Sequence, residues 1–457
     1  MTARHIAAPY VILGGGLAGM AAALPLGEKT VVLEAADRAG GLVQSHNIDG
    51  YWFDTVLHLM HVADDETLRR IQGWLGEVLQ PLDRVAWVEM PFGRVRYPFQ
   101  QNLSALPLDL AVACLNDMAR AAYQHAGQNR VADSLHRRFL DLFGQSLCDL
   151  FFYPYNQKLW KRPLDTLPAS GLAWTIPSPD FREVLRGALA TNVNDRSYNS
   201  DAWYPHPPVG APLRGMELLS AAMAARVSHM EVRCRVCQVD PDTRHVLATT
   251  PDGVLRCDWE DGAVSTIPLP RLAEMTIGLP DSLRLAAARL KHMRVIYFAF
   301  RVQGPRPEDR GQWHYYPDPA VSFNRLVYMH RFDPLSAPPD GWGVMAEITE
   351  SADGPPGDRN AQLNRVAADL DATGALPNDC RVVGGHVMES EYGYVVFDDA
   401  REEAVCRLEE FFRSKGIALL GRYGRWDYYS MSQVLRQGHD WALGALQRHG
   451  WVECSVP

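Results

Sequence analysis

Three glycines and one glutamate near the start of this 457-residue chain carry its clearest chemistry. Gly14, Gly16 and Gly19 have the G-x-G-x-x-G spacing, and Glu34 follows on the same unit. A pyrophosphate needs backbone N–H groups close by, and a ribose diol needs a carboxylate acceptor. Gly14 permits the tight turn, Gly16 lets backbone approach phosphate, and Gly19 lets helix pack on sheet. Leu17 and Ala18 open the helix, whose free N–H groups and positive dipole end attract phosphate. The flanking residues supply the elements this requires. Tyr10 to Leu13 is an apolar run fit for a buried strand. Met20 to Leu24 reads as helix, and Thr30 to Leu33 as a second strand ending at Glu34. Strand, turn, helix, strand and acid in that order predict a bound dinucleotide.

The residues after Glu34 select the kind of dinucleotide. Arg38, Gly40 and Gly41 complete E-x-x-x-R-x-G-G with Glu34, followed by Leu42. This resembles the FAD flavoproteins that include amine oxidases, carotenoid desaturases and UDP-galactopyranose mutases. The resemblance implies FAD, with Arg38 and Gly41 continuing the site along its phosphates. Gly50 to His58 resembles the mutases' G-Y/F-x-F-D-x-G-G-H segment, which passes over the flavin ring and places His58 there. Val56 and Leu57 stand where the mutases have two glycines. Branched residues reach positive φ only at a cost, so this segment is expected to be stiffer.

Four further blocks resemble the mutases, especially their longer eukaryote-like branch, in order along nearly the whole chain. Arg96 to Leu103 resembles P-Y-P-F/I-Q-N-N-I/L, which implies a nucleobase subsite at Tyr97, Phe99 and Gln100. Such residues suit a base, which offers a π-face and hydrogen-bonding edges. Asp149 to Trp160 resembles D-L-F-x-R-P-Y-N-x-K-V/L-W and implies substrate contacts from Asn156 and Trp160. Tyr153 replaces its arginine, a phosphate ligand, and a phenol brings one hydrogen bond without a charged fork. Lys158 reads equally well as structural. The third block, Gln312 to Pro317 with Ser322 to Arg325, implies Tyr315 beside the substrate phosphates and Arg325 on them. In the fourth, Gly421 to Tyr428 followed by Ser432 and Gln433, Arg422 would touch the flavin and Tyr428 would face phosphate. There Ser432 replaces an asparagine. Asn199 and Tyr394 match a flap position and a phosphate contact more loosely.

The implied fold is α/β: a discontinuous Rossmann-like FAD domain, an inserted helical domain and an antiparallel β-sheet substrate domain. Its expected segments are 1–90, 201–290 and 386–457 for FAD, 91–200 for the helical part, and 291–385 for the sheet. The implied reaction is ring contraction of an NDP-hexopyranose to its furanose. It runs through attack of reduced-flavin N5 at the anomeric carbon, with His58, Arg325 and Arg422 in the catalytic centre. The departures at Tyr153 and Val56-Leu57 point to an altered sugar nucleotide. Two alternatives share the fingerprint: an FAD oxidoreductase of amine-oxidase or desaturase type, and a flavin-binding homologue without activity. The electron donor stays open between NAD(P)H and another external reductant, as do the base, the sugar and the oligomeric state, a homodimer included.

Bulk properties narrow the partners. Net charge is -9, and no long basic run appears, which argues against nucleic acid. No stretch of about 18 apolar residues suggests a membrane span. The segment before the first strand lacks a signal-peptide core, so a cytoplasmic location is expected. The eight cysteines form no zinc pattern; Cys234 and Cys237 should sit on opposite faces of a strand as unrelated thiols. No metal is expected.

Overall fold

Strands that take parallel neighbours on both sides are buried on both faces, and Tyr10 to Leu13 are buried throughout. The computed structural model describes residues 4–62, 64–125, 132–169, 180–190 and 201–448. In it the strand Arg4–Leu13 runs parallel to Gly253–Ser265 on one side and Thr30–Leu33 on the other. Met230–Glu231 extends the sheet beyond Thr30–Leu33, and Ile417–Leu419 joins the end of Gly253–Ser265. Arg235–Asp240 and His245–Thr250 add an antiparallel meander. One sheet is thus assembled from three stretches of chain far apart in sequence. The helix Leu17–Leu26 packs on Met431–Arg448, where Gly438 leaves room for the Ala18 carbonyl and the Ala21 methyl. Cys234 is buried and Cys237 exposed.

A second, seven-stranded sheet runs in the order Arg381–Val395, His292–Gln303, Gly341–Ser351, Arg325–Tyr328, Trp313–Tyr315, Ala86–Met90 and Gly93–Arg96. Its pairs are antiparallel except Trp313–Tyr315 with Ala86–Met90. Two expected boundaries therefore shift. Ala86–Met90 belongs to this sheet rather than to the dinucleotide segment, and Arg381–Val395 passes through residue 385 without a break, because strand pairing holds both. The helices Leu108–His125, Leu135–Leu147 and Tyr153–Trp160 form a layer with an aromatic core of Phe139, Phe143, Phe151 and Phe152, which packs on Val88 and Val95 of the sheet. Between the two sheets, the hairpin of Ser45–Ile48 and Tyr51–Asp54 is fastened by Asp54. That buried carboxylate accepts from Ser45 Oγ (2.6 Å), Tyr204 Oη (2.8 Å) and the Met216 N–H (3.1 Å). Burial pushes it up to about 6 despite those bonds. Among the described residues no helix is long and apolar enough to cross a membrane.

Candidate functional site

The glycine turn has the shape of a phosphate cradle. Gly14 adopts φ +105°, and a Cβ there would overlap Thr266 Oγ1. A Cβ on Gly19 would overlap the Gly14 carbonyl, so the helix sits as close to the strand as a hydrogen allows. Gly16 and Gly41 face each other across open space, and the Gly40 N–H donates to the Gly15 carbonyl at 2.9 Å. Glu34 accepts from the N–H groups of Gly15 (2.6 Å) and Ala36 (2.7 Å). A carboxylate has about four lone-pair sites, so capacity remains for a ribose diol. No side chain caps the helix Leu17–Leu26 and no acid occupies its first turn, leaving its N–H groups for an anion. A dinucleotide fits these residues.

Arg38 does not turn toward this cradle as expected. Its Nε pairs with Glu217 at 3.3 Å and its Nη2 donates to the Ser45 carbonyl at 3.2 Å, fastening the hairpin. Gln433 and Ser432 also take a different part. Gln433 Oε1 accepts from the Ser430 N–H (2.8 Å) while its own N–H donates to Ser430 Oγ (3.3 Å), a capping box on the helix Met431–Arg448. Ser432 is buried beside Ser430 Oγ at 3.1 Å. Sequence reading took this S-x-x-Q for a flavin contact because the helix start behind it was not recognised. Leu42 lies partly buried next to the cradle.

Arg422 reaches the expected region. Gly421, at φ +76°, brings its short helix against Ala18, and Tyr423 Oη donates to the Gly393 carbonyl at 3.1 Å. These contacts tie the glycine cradle to the second sheet. The Arg422 guanidinium lies 3.9 Å over the Tyr428 ring, and its Nε donates to the Tyr429 carbonyl at 3.2 Å. Tyr428 in turn stacks on Tyr394 with ring centroids 6.0 Å apart. His58 lies near enough to feel the Arg422 charge. Burial first, then that charge, push its imidazole down to about 3, so it is neutral. His58 Nδ1 is buried with no hydrogen-bond partner, as expected of an atom facing a ligand ring. Neither Val56 nor Leu57 has positive φ; both pack against the hairpin core, and the Leu57 N–H bonds the Tyr297 hydroxyl.

Register on the second sheet assembles the rest. Tyr297 opposes Glu347, Glu347 opposes Arg325, and Arg325 opposes Tyr315. Directly opposed residues share a face, so these four form one row across four strands. Arg325 Nη2 pairs with Glu347 and reaches Tyr297 Oη (3.2 Å) and Tyr394 Oη (3.3 Å). Glu347 is fully buried and also accepts from Tyr297 Oη, Asn324 Nδ2 (3.0 Å) and Tyr394 Oη (3.3 Å). Burial alone would raise this carboxyl, but Arg325 and the donors hold it below its ordinary value. Burial likewise opposes the Arg325 charge, and Glu347 outweighs it, so Arg325 stays ionised.

Around the row lie aromatic rings. Tyr315 packs on Tyr97 (5.1 Å between centroids) and edge-on to Tyr155 (5.2 Å), and Trp160 meets Tyr394 at 6.1 Å. The other block residues face inward. Phe99 is fully buried and stacked on Phe151, leaving no face for a base, and Gln100 is buried beside it. Tyr153 is stacked on His136 at 4.4 Å and donates to the His136 carbonyl at 3.2 Å, away from Arg325. Asn156 Nδ2 donates to the Phe152 carbonyl at 2.8 Å within its own helix. Lys158 fastens that helix to the sheet through the carbonyls of Tyr316 (2.9 Å) and Asp318 (2.7 Å), and burial brings it down to about 7. Asn199 lies outside the described residues. Glu347, Tyr297 and Tyr155 were missed by sequence reading. For Glu347 a signal existed: a lone carboxylate in the middle of an otherwise apolar strand, Gly341–Ser351.

Comparison with known proteins agrees with this arrangement. Over 99% of this chain and 95% of the other, the fold superposes on the crystal structure of reduced UDP-galactopyranose mutase with a TM-score of 0.85 at 21% identity. A putative protoporphyrinogen oxidase from Exiguobacterium sp. 255-15 gives 0.69 at 16% identity, covering 98% and 100%. Putrescine oxidase bound to putrescine gives 0.60 at 17% identity, covering 97% and 100%. An uncharacterized protein in the nifH2 3′ region of Methanothermococcus thermolithotrophicus is 42% identical over 64 residues, 13% of this chain and 62% of that protein. The chain therefore spans less than two thirds of that relative's length. Residues 17–346 match the sequence model of the flavin containing amine oxidoreductases, and the chain belongs to that family.

Proposed function

We propose that the protein is a flavin-dependent isomerase that contracts a nucleotide-linked hexopyranose to its furanose. The observation that carries the reading is the row Tyr297, Glu347, Arg325 and Tyr315, with Tyr394 and Tyr428 leading from it to Arg422 and His58. An arginine that binds phosphate is thereby placed beside the groups expected at the flavin. Reduced FAD, when bound, supplies a nucleophilic nitrogen for the anomeric carbon. Arg325 and Tyr394 hold the phosphate, and Tyr97, Tyr155 and Tyr315 offer ring faces to the base. The bond from anomeric carbon to phosphate oxygen breaks with its electron pair on the phosphate, and the same bond reforms to the furanose. Nothing is oxidised overall. Arg325 steadies the phosphate as it departs. Arg422 stabilises negative charge on the reduced cofactor, and neutral His58 packs at the ring without adding charge. Anaerobic reduction with dithionite and a panel of NDP-hexoses tests this; no furanose from any of them would reject it.

One observation favours a second reading. Glu347 already answers the charge of Arg325, and the rest of the pocket is lined by tyrosines, which would suit an uncharged substrate of a flavin oxidase. Steady oxygen consumption with an amine or polyene substrate separates that reading from the first.

A further inference from the structure

Resting on the nucleotide-sugar reading, the charge around Arg325 narrows the substrate. Four elements meet at the row. Arg325 and Arg422 bring two positive charges and Glu347 brings one negative charge, buried and bonded to Arg325. The other groups facing Glu347 are Tyr297, Tyr394, Asn324 and Tyr155, none of which is charged at neutral pH. His58 is neutral. Tyr153, the position that would have added a cation in the mutases, holds a phenol turned to the His136 carbonyl. Lys158 is engaged by two carbonyls on the far side of its helix's contact with the sheet.

Buried sites bind ligands whose charge matches their own, because an uncompensated charge out of water costs several kcal/mol. A sugar joined through a diphosphate carries two negative charges. One joined through a single phosphate diester carries one. We propose that the site takes a sugar linked to a nucleoside through a single phosphate, because Glu347 cancels half of the positive charge that Arg325 and Arg422 bring. Glu347 is then the residue that sets how many phosphates are accepted. A diphosphate enters only when Glu347 picks up a proton, and its binding becomes pH-dependent for that reason.

The test compares two uridine probes on the flavin-loaded protein, read by perturbation of the flavin absorbance. Uridine 5′-(methyl phosphate) carries one charge and UDP-galactopyranose two, and neither titrates between pH 6.5 and 8.5. The methyl phosphate should bind with an affinity independent of pH. UDP-galactopyranose should weaken by up to about tenfold per pH unit as pH rises. Glu347→Gln should remove that slope and tighten UDP-galactopyranose at pH 8 by at least about tenfold, leaving the methyl phosphate within about threefold. The titration of Lys158 would act on both probes alike and survive Glu347→Gln. Should the variant not fold, the two wild-type slopes still decide. Tight, pH-independent binding of UDP-galactopyranose overturns the single-phosphate assignment and leaves the isomerase reading standing. Binding of neither probe removes the nucleotide-sugar reading itself.

Discussion

Removing the Arg325 charge gives the sharpest energetic test of the buried row. In Arg325→Met the apolar stem is kept and the guanidinium is lost, so Glu347, with no exposed surface, faces only Tyr297, Asn324 and Tyr394. Breaking a buried ion pair from one side costs about 3–5 kcal/mol, because the remaining charge stays out of water. At about 1 kcal/mol/K of unfolding entropy for 457 residues melting together, that is a fall of about 3–5 °C in Tm. The pH dependence carries a second sign. In the native protein Glu347 is held below its ordinary value, so its contribution is present above that value and lost as pH falls through the lowered one. In Arg325→Met burial is no longer opposed by a cation and the value rises. The penalty is then absent at acid pH and grows as pH rises, by at most about 1.4 kcal/mol per pH unit. The assay is thermal melting of both proteins and of Arg325→Met/Glu347→Gln from pH 5 to 8. The double variant should recover most of the loss and show no added pH dependence. A fall under about 1 °C at pH 7, or an equal loss in single and double variants, would refute a buried charge pair.

Other expectations follow from the same geometry. Gly19→Val should abolish flavin retention through gel filtration, because a Cβ there overlaps the Gly14 carbonyl on the cradle's own strand; retention equal to wild type would show that the cradle can give. Tyr153→Phe should cost about 1 kcal/mol of stability, the price of one bond to the His136 carbonyl, and leave nucleotide affinity within about twofold; a tenfold loss of affinity would place its hydroxyl at the ligand. His58 should show no protonation by ring NMR between pH 5 and 8, since burial and Arg422 push it to about 3; a midpoint near 6.5 would mean the ring is solvated.

Much of the cofactor half was legible in the sequence. Gly14, Gly16 and Gly19 act through backbone shape alone, and a spacing of glycines records that shape directly. Arg422 was also readable, because its neighbours Gly421 and Gly424 fix where it stands. Arg38 misled because an exposed arginine next to phosphate-binding glycines gives no hint of Glu217, 179 residues later, which holds it. Phe99 and Tyr153 share motif spacing with ligand contacts, but which side of a ring is covered depends on Phe151 and His136, brought by other helices. The Tyr297–Glu347–Arg325–Tyr315 row exists only through register between strands distant in sequence. Glu347 alone left a trace, as a carboxylate whose apolar flanks demand a buried partner.

The central claim is that the bond between anomeric carbon and phosphate oxygen is broken and remade only with reduced flavin. Positional isotope exchange reads this directly: a nucleotide sugar with 18O in the bridging position is incubated anaerobically with the enzyme, and the label is located by 31P NMR. Scrambling of the label into non-bridging phosphate positions with dithionite-reduced enzyme, and none with oxidised enzyme, is the predicted result. Label that stays in the bridge in both states, for single-phosphate and diphosphate sugars alike, would contradict the isomerase account.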